Sequence, residues 1–207
     1  MNEPVTNLLW IAFAYLCGAL PLSYWLGKVF LHVDIRQYGD GNPGGANVWK
    51  AGGKWWGLTA IIMDGFKGLI PVALANFQGG VTGWALVAVC LAPILGHAYT
   101  PFLGFNGGKA LAVTFGVWTG LTEWRGPMVL GLAFVLWLKI LKIEGWAILA
   151  GMLTLLAYFL LTQAPVTWLA VWLGSFLLFM WKHRADFRRR PDLRQGILGR
   201  FFPKPSN

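Results

Sequence analysis

The run from Tyr38 to Lys50 reads Tyr-Gly-Asp-Gly-Asn-Pro-Gly-Gly-Ala-Asn-Val-Trp-Lys. Its four glycines permit a tight path with exposed amides, and Lys50 adds a cation, so the segment is either an anion cradle or a turn-rich connection. The Walker pattern GxxxxGK[ST] is absent, and nothing points to nucleotide hydrolysis. A second run, Gly96-His97-Ala98-Tyr99-Thr100-Pro101, leads through Phe105-Asn106-Gly107-Gly108 to Lys109. Paired glycines ahead of a lysine at a helix start offer free amides, a favourable dipole and a mobile cation, all suited to phosphate. Positive-inside anchoring is the alternative for Lys109. Asp64 and Lys67, three apart in an apolar segment, share one helical face and serve either chemistry or an ion pair that locks helices. His183 starts His183-Arg184-Ala185-Asp186-Phe187 where the last apolar run turns basic, a place for proton transfer, ligand binding or interfacial anchoring. His97 is read as bracing its loop. Cys17 and Cys90 lie in apolar runs without metal or disulfide spacing.

The elements that must position these groups are membrane helices. Of 207 residues, 57% are apolar and 12% charged, against about a quarter charged in soluble domains. Thirteen Trp, fourteen Phe and five Tyr suit the hydrocarbon and headgroup boundary. At about 20 residues per crossing, apolar segments near 8–27, 55–76, 82–97, 109–121, 127–141, 145–161 and 165–182 predict an all-α, polytopic membrane protein of about seven helices. Lys28, Arg36, Lys50 and Lys54, then Lys109, then Lys139 and Lys142, then the tail all fall on one side of that alternation. The other connections are nearly neutral, which puts the N-terminus outside and the C-terminus in the cytoplasm. The chain reads as one membrane-embedded domain, 1–207, with a basic tail from about 182. Between Lys182 and Lys204 eight basic residues face only Asp186 and Asp192, a pattern for anionic lipid rather than nucleic acid.

Asp40-Gly41-Asn42-Pro43-Gly44 with Asn47, Asp64 with Lys67-Gly68, Gly96-His97, Gly107-Gly108-Lys109 and His183-Arg184, in this order among these helices, resemble the acyl-phosphate-dependent glycerol-3-phosphate acyltransferase family of bacterial membranes. The resemblance spans most of the chain. It implies a multi-pass protein of the bacterial cytoplasmic membrane that moves a fatty acyl group from acyl phosphate to the 1-hydroxyl of glycerol 3-phosphate, forming lysophosphatidic acid among membrane phospholipids without a cofactor or metal. Lys109, His183 and Asn42 would act at the reacting groups. Lys50, Asp40, Gly41, Gly44, Asn47, Gly107, Gly108, Arg184 and Asp186 would bind substrate or phosphate, and Asp64, Lys67 and His97 would support them. The chain departs from the family pattern at Asp40, where a serine is usual, at Lys50, usually arginine, and at Asp186, usually asparagine. A different polyol acceptor, or a lipid-handling or transport protein without catalysis, is the other reading.

Overall fold

The computed structural model describes residues 3–194; the tail's Arg200 and Lys204 lie outside them. The described residues form eight α-helices joined by turns and by two longer connections, 31–44 and 99–110: α1 (Glu3–Ala19), α2 (Leu22–Phe30), α3 (Gly45–Ala73), α4 (Gly83–Ala98), α5 (Leu111–Thr122), α6 (Arg125–Ile140), α7 (Glu144–Leu161) and α8 (Val166–Lys182). Four stretches are long and apolar enough to cross a membrane, Glu3–Phe30, Gly45–Gln78, Gly83–Leu103 and Glu144–Leu161, and α5 and α8 are shorter apolar helices. Large apolar side chains such as Trp55, Leu132 and Leu161 stand outward, as they do when lipid is the solvent. The chain divides into two compact units, Met1–Pro127 and Met128–Asn207.

Two helices stand where the sequence predicts a single one over 8–27. Pro21 carries no N–H and its ring crowds the preceding turn, so the helix stops at Ala19 and restarts at Leu22. Carbonyls freed by such a break need donors where water is absent. Thr100 Oγ1 donates to Ala19 O at 2.5 Å, and Lys67 Nζ donates to Leu20 O at 2.6 Å.

A second difference lies in the first connection. Residues 45–52 are helical rather than loop, and Gly53, at φ 82°, turns the backbone sharply inside α3. The short helix folds back on the long one: a Cβ on Gly57 would lie 2.5 Å from Trp49 Cβ, and one on Gly45 would lie 2.7 Å from Ile61 Cγ1. Glycine at both positions lets the arms of this helical hairpin touch. Beneath it Leu26, Ile35, Val48 and Ala60 form a buried cluster.

Within the first unit the long helices pair at backbone distance through small residues, the membrane route to close packing. Gly18 of α1 lies under Pro93 of α4, and Gly96 lies against Tyr15 O. On the other side Gly116 of α5 lies against Gly65 O of α3, and Gly68 against Val113 O. Any side chain at Gly18, Gly96, Gly116 or Gly68 would overlap main-chain atoms. In the second unit Trp172 Nε1 of α8 donates to Met152 O of α7 at 2.9 Å. The chain beyond α8 is fastened to the α6–α7 turn by an antiparallel bridge between Leu141 and Leu193 and an ion pair from Lys142 to Asp192 at 2.7 Å, and to the first turn of α7 by Trp146 Nε1 donating to Arg189 O.

Candidate active site

The glycine-rich connection is organised by Asp40. Gly39 and Gly41 both have positive φ, 59° and 77°, and the turn they allow brings the Asp40 carboxylate back over its own loop. Asp40 Oδ1 accepts from the Asn42 N–H at 3.2 Å and from Asn47 Nδ2 at 3.0 Å, and Asn47 Nδ2 also donates to Asn42 O at 2.8 Å. Asp40 Oδ2 faces Lys109 Nζ at 2.9 Å. Burial pushes the Asp40 carboxyl upward, but the Lys109 hydrogen bond and charge, with the Asn42 and Asn47 donors, hold it below the usual carboxylate range.

Asn47 is 1% exposed. Its Oδ1, like Asn42 Oδ1, is closed to solvent and has no hydrogen-bond donor among the described residues, and buried acceptors of that kind are uncommon. A Cβ on Gly39 would overlap both Asn47 Oδ1 and Lys50 Nζ, so the Lys50 ammonium hangs over this loop. Among the described residues no carboxylate pairs with it. At the loop's entrance Asp34 caps a short turn, accepting from Arg36 N at 3.0 Å and pairing with its guanidinium at 2.7 Å.

Lys109 reaches Asp40 from an irregular segment that runs along the end of α4. The amides of Gly107 and Gly108 donate to Ala98 O and His97 O at 3.2 and 3.0 Å. They are therefore not the free amides that a glycine pair before a lysine suggests. The glycines are needed for space: a Cβ on Gly107 would overlap His97 O, and one on Gly108 would overlap His97 Nε2. Ala110, at φ 63°, turns the chain into α5, which begins without a side-chain cap.

Asp64 and Lys67 pair at 3.0 Å with side chains 3% and 4% exposed. The Lys67 ammonium has three N–H donors; one is taken by Leu20 O at 2.6 Å, and the charge stands against Asp64 Oδ1 as an ion pair. Ser23 Oγ donates to Asp64 Oδ2 at 2.5 Å. The arrangement ties the α1–α2 break to α3. A small cleft separates Pro43 of the glycine loop from Asp64, Lys67, His97 and the Gly107-Gly108 segment, so the network borders the loop that holds Lys109.

The remaining sequence candidates lie in the second unit. His183 is 1% exposed at the end of α8, with Nδ1 3.1 Å from Phe179 O. Arg184 is exposed, donates to Trp181 O at 2.8 Å and covers the Trp181 ring at 4.5 Å, the pose of an interfacial anchor. Asp186 Oδ2 accepts from the Gly145 N–H at 3.1 Å, in the first turn of α7.

The structure thus gathers Asp40, Gly41, Asn42, Gly44, Asn47, Lys50, Gly107, Gly108 and Lys109 around one loop pair, with Asp64, Lys67 and His97 bordering it. Residues to which the sequence reading gives no individual role are Gly39, Ser23 and Thr100. A serine and a threonine beside an apolar run broken by proline were the available signal for the last two.

A family model described as glycerol-3-phosphate acyltransferase matches residues 8–191. The chain is 36% identical over 197 residues to glycerol-3-phosphate acyltransferase 1 of Thermotoga maritima, covering 88% of this chain and 97% of that one. It is also 36% identical over 203 residues to the glycerol-3-phosphate acyltransferase of Endomicrobium trichonymphae, covering 96% and 98%. Among solved structures it is similar to the integral membrane glycerol 3-phosphate acyltransferase PlsY (YgiH) in its glycerol 3-phosphate form, with 29% identity, a TM-score of 0.81 and coverage of 95% and 98%. The lysophosphatidic acid form of PlsY superposes with a TM-score of 0.78 at 28% identity.

Proposed function

The chain belongs to the glycerol-3-phosphate acyltransferase family, and from that premise we propose that the Lys109 loop pair receives the phosphate chemistry of acyl transfer from an acyl phosphate donor. The protein is an integral membrane acyltransferase that acylates glycerol 3-phosphate. The finer reading is that the attacking group is the 1-hydroxyl, that the products are lysophosphatidic acid and inorganic phosphate, and that the enzyme works in the bacterial cytoplasmic membrane with its C-terminus in the cytoplasm.

Acyl phosphate is an activated donor, so a covalent acyl-enzyme is unnecessary. The protein has to hold an oily chain beside two charged heads, orient the hydroxyl, and stabilise the phosphate as it leaves. Lys109 and Lys50 supply positive charge beside a glycine-rich loop, and Asn42 and Asn47 supply carbonyl oxygens lacking a donor, suited to an alcohol O–H. Gly41 and Gly44 shape the loop, and Gly107 and Gly108 place Lys109 against α4. Family resemblance assigns His183 to positioning the acceptor, and Arg184 and Asp186 to substrate or phosphate binding. The single observation that carries the phosphate assignment is that Lys109 stands at the meeting of the two glycine segments.

The test is purified protein in lipid given acyl phosphate, with glycerol 3-phosphate, glycerol or no acceptor. Phosphate release and lysophosphatidic acid should appear only with glycerol 3-phosphate, and Lys109→Ala should abolish both while the protein stays folded. Full transfer by Lys109→Ala would remove the phosphate assignment.

A further inference from the structure

Asp40 puts a negative charge where substrate phosphate has to arrive. Oδ1 is held by two donors, the Asn42 N–H and Asn47 Nδ2, so the carboxylate is fixed in the loop. Oδ2 is left to meet the Lys109 ammonium at 2.9 Å. The pair is open to solvent, with side chains 46% and 26% exposed, so a soluble anion can reach it. The Lys50 ammonium, over Gly39 of the same loop, has no such counter-charge among the described residues. Of the two lysines beside the loop, one is neutralised and one is not.

We propose that Asp40 is a resident counter-ion for Lys109, a specificity-determining residue that an incoming phosphate must displace or share with, and that it thereby keeps phosphate binding weak and confined to strongly charged anions. The inference rests on the reading that Lys109 receives phosphate. A doubly charged phosphate near Lys109 gains from both lysines and can outcompete a single carboxylate. A neutral polyol gains nothing from the exchange and leaves the Asp40–Lys109 pair closed. Because the two hydrogen bonds to Oδ1 keep Asp40 from swinging away, its charge continues to repel the bound anion, which also speeds loss of inorganic phosphate after transfer. Asp40 acts here through Lys109 and is a positioning residue, not a group that touches the reacting carbonyl.

Asp40→Asn retains a carbonyl oxygen for Asn42 and Asn47 while removing the charge. Asp40→Ser retains an acceptor for the Asn42 N–H and cannot span to Lys109, so it serves if the first variant folds poorly. Inorganic phosphate is titrated calorimetrically into the full chain in lipid nanodiscs, and KM for glycerol 3-phosphate is measured alongside. Both variants are expected to bind phosphate about twofold to fivefold more tightly than the unaltered chain, the scale of a partly exposed ion pair, and to lower KM in step. A damaged fold weakens binding, so a gain is a readout that misfolding does not produce. In a Lys109→Ala background the gain should vanish. Unchanged or weaker phosphate binding in both folded variants overturns the proposal. So does a gain that survives Lys109→Ala, since the carboxylate would then act through another cation while acyl transfer itself stands. Failure of the unaltered chain to acylate glycerol 3-phosphate from acyl phosphate is the separate result that removes the underlying reading.

Discussion

Gly108 lies so close to His97 that a methyl group on its Cα would overlap the imidazole Nε2. The neighbouring Gly107 has the same relation to a different atom, the main-chain oxygen of His97. A side chain can move and a helix carbonyl cannot, so the two glycines should respond differently to substitution. Gly108→Ala should lower acyl transfer by displacing His97 and with it Lys109, and the loss should be largely recovered in the double variant His97→Ala, Gly108→Ala. Gly107→Ala should be more damaging and should gain nothing from His97→Ala. Rates of phosphate release and thermal unfolding of the four variants in detergent decide the matter; equal rescue at both positions would show that the imidazole is not what the glycine segment packs against.

The Asp64–Lys67 pair tests whether a buried ion pair braces or reacts. With side chains 3% and 4% exposed, neither charge can be left alone cheaply. Asp64→Ala strands Lys67 with Leu20 O and should cost about 3–5 kcal/mol in unfolding free energy. Asp64→Leu with Lys67→Met removes both charges and should destabilise less than Asp64→Ala alone, with measurable acyl transfer. Loss of transfer in a double variant that melts near the unaltered chain would assign the pair to chemistry instead.

Much of this fold was legible because lipid imposes simple rules on sequence. Six of the seven predicted apolar segments contain a helix in the structure that ends within a few residues of the expected place, since an apolar run of that length has few alternatives. The break at Pro21 was visible in principle, but the apolar run on both sides outweighed one proline. The hairpin about Gly53 was hidden for a different reason. Gly52-Gly53 sits in a stretch read as connection, and only the contacts Gly57–Trp49 and Gly45–Ile61 show that the short helix doubles back. Lys109 and the glycine loop were found from residue type. What the glycines do was not: type suggested open amides, whereas the amides of Gly107 and Gly108 are committed to α4 carbonyls. Spacing along a chain says which groups could meet, and hydrogen bonds between distant segments decide which atoms remain available.

Acid should loosen the glycine loop in a narrow range. Asp40 has a folded pKa below its ordinary value, because Lys109 and the loop donors outweigh the effect of burial. Asp34 is held well below it too, chiefly by the Arg36 hydrogen bond. For a depressed carboxylate the stabilisation is complete above the unfolded value, about 3.9, and is lost as pH falls through the folded one. Hydrogen exchange of residues 34–50 should therefore be flat between pH 7 and 5, after correction for intrinsic rates, and protection should fall only below about pH 4. Asp40→Asn should remove the part of that loss that arises near Asn42 and Asn47 and leave the part near Arg36. Loosening already at pH 6 would point to a histidine rather than to these carboxylates.

Asp186 and Gly145 offer the clearest separation of a structural role from a substrate-binding one. Gly145 has no side chain where a Cβ would lie 2.6 Å from Asp186 Cβ, and its N–H donates to Asp186 Oδ2 at 3.1 Å. The carboxylate thus caps the first turn of α7 from a distant part of the chain, meeting an N–H that no carbonyl of its own helix can reach and the positive end of the helix dipole. Asp186→Ala should cost about 1 kcal/mol of stability. Asp186→Asn keeps an oxygen for the Gly145 N–H and should cost only the smaller dipole contribution. Gly145→Ala should act like Asp186→Ala, because the new methyl pushes the carboxylate away without touching its charge. If capping is the whole role, acyl transfer in the three variants follows their stability and KM for glycerol 3-phosphate stays put. A rise in KM for Asp186→Asn with its melting temperature unchanged would instead show that the second oxygen of Asp186 reaches the acceptor.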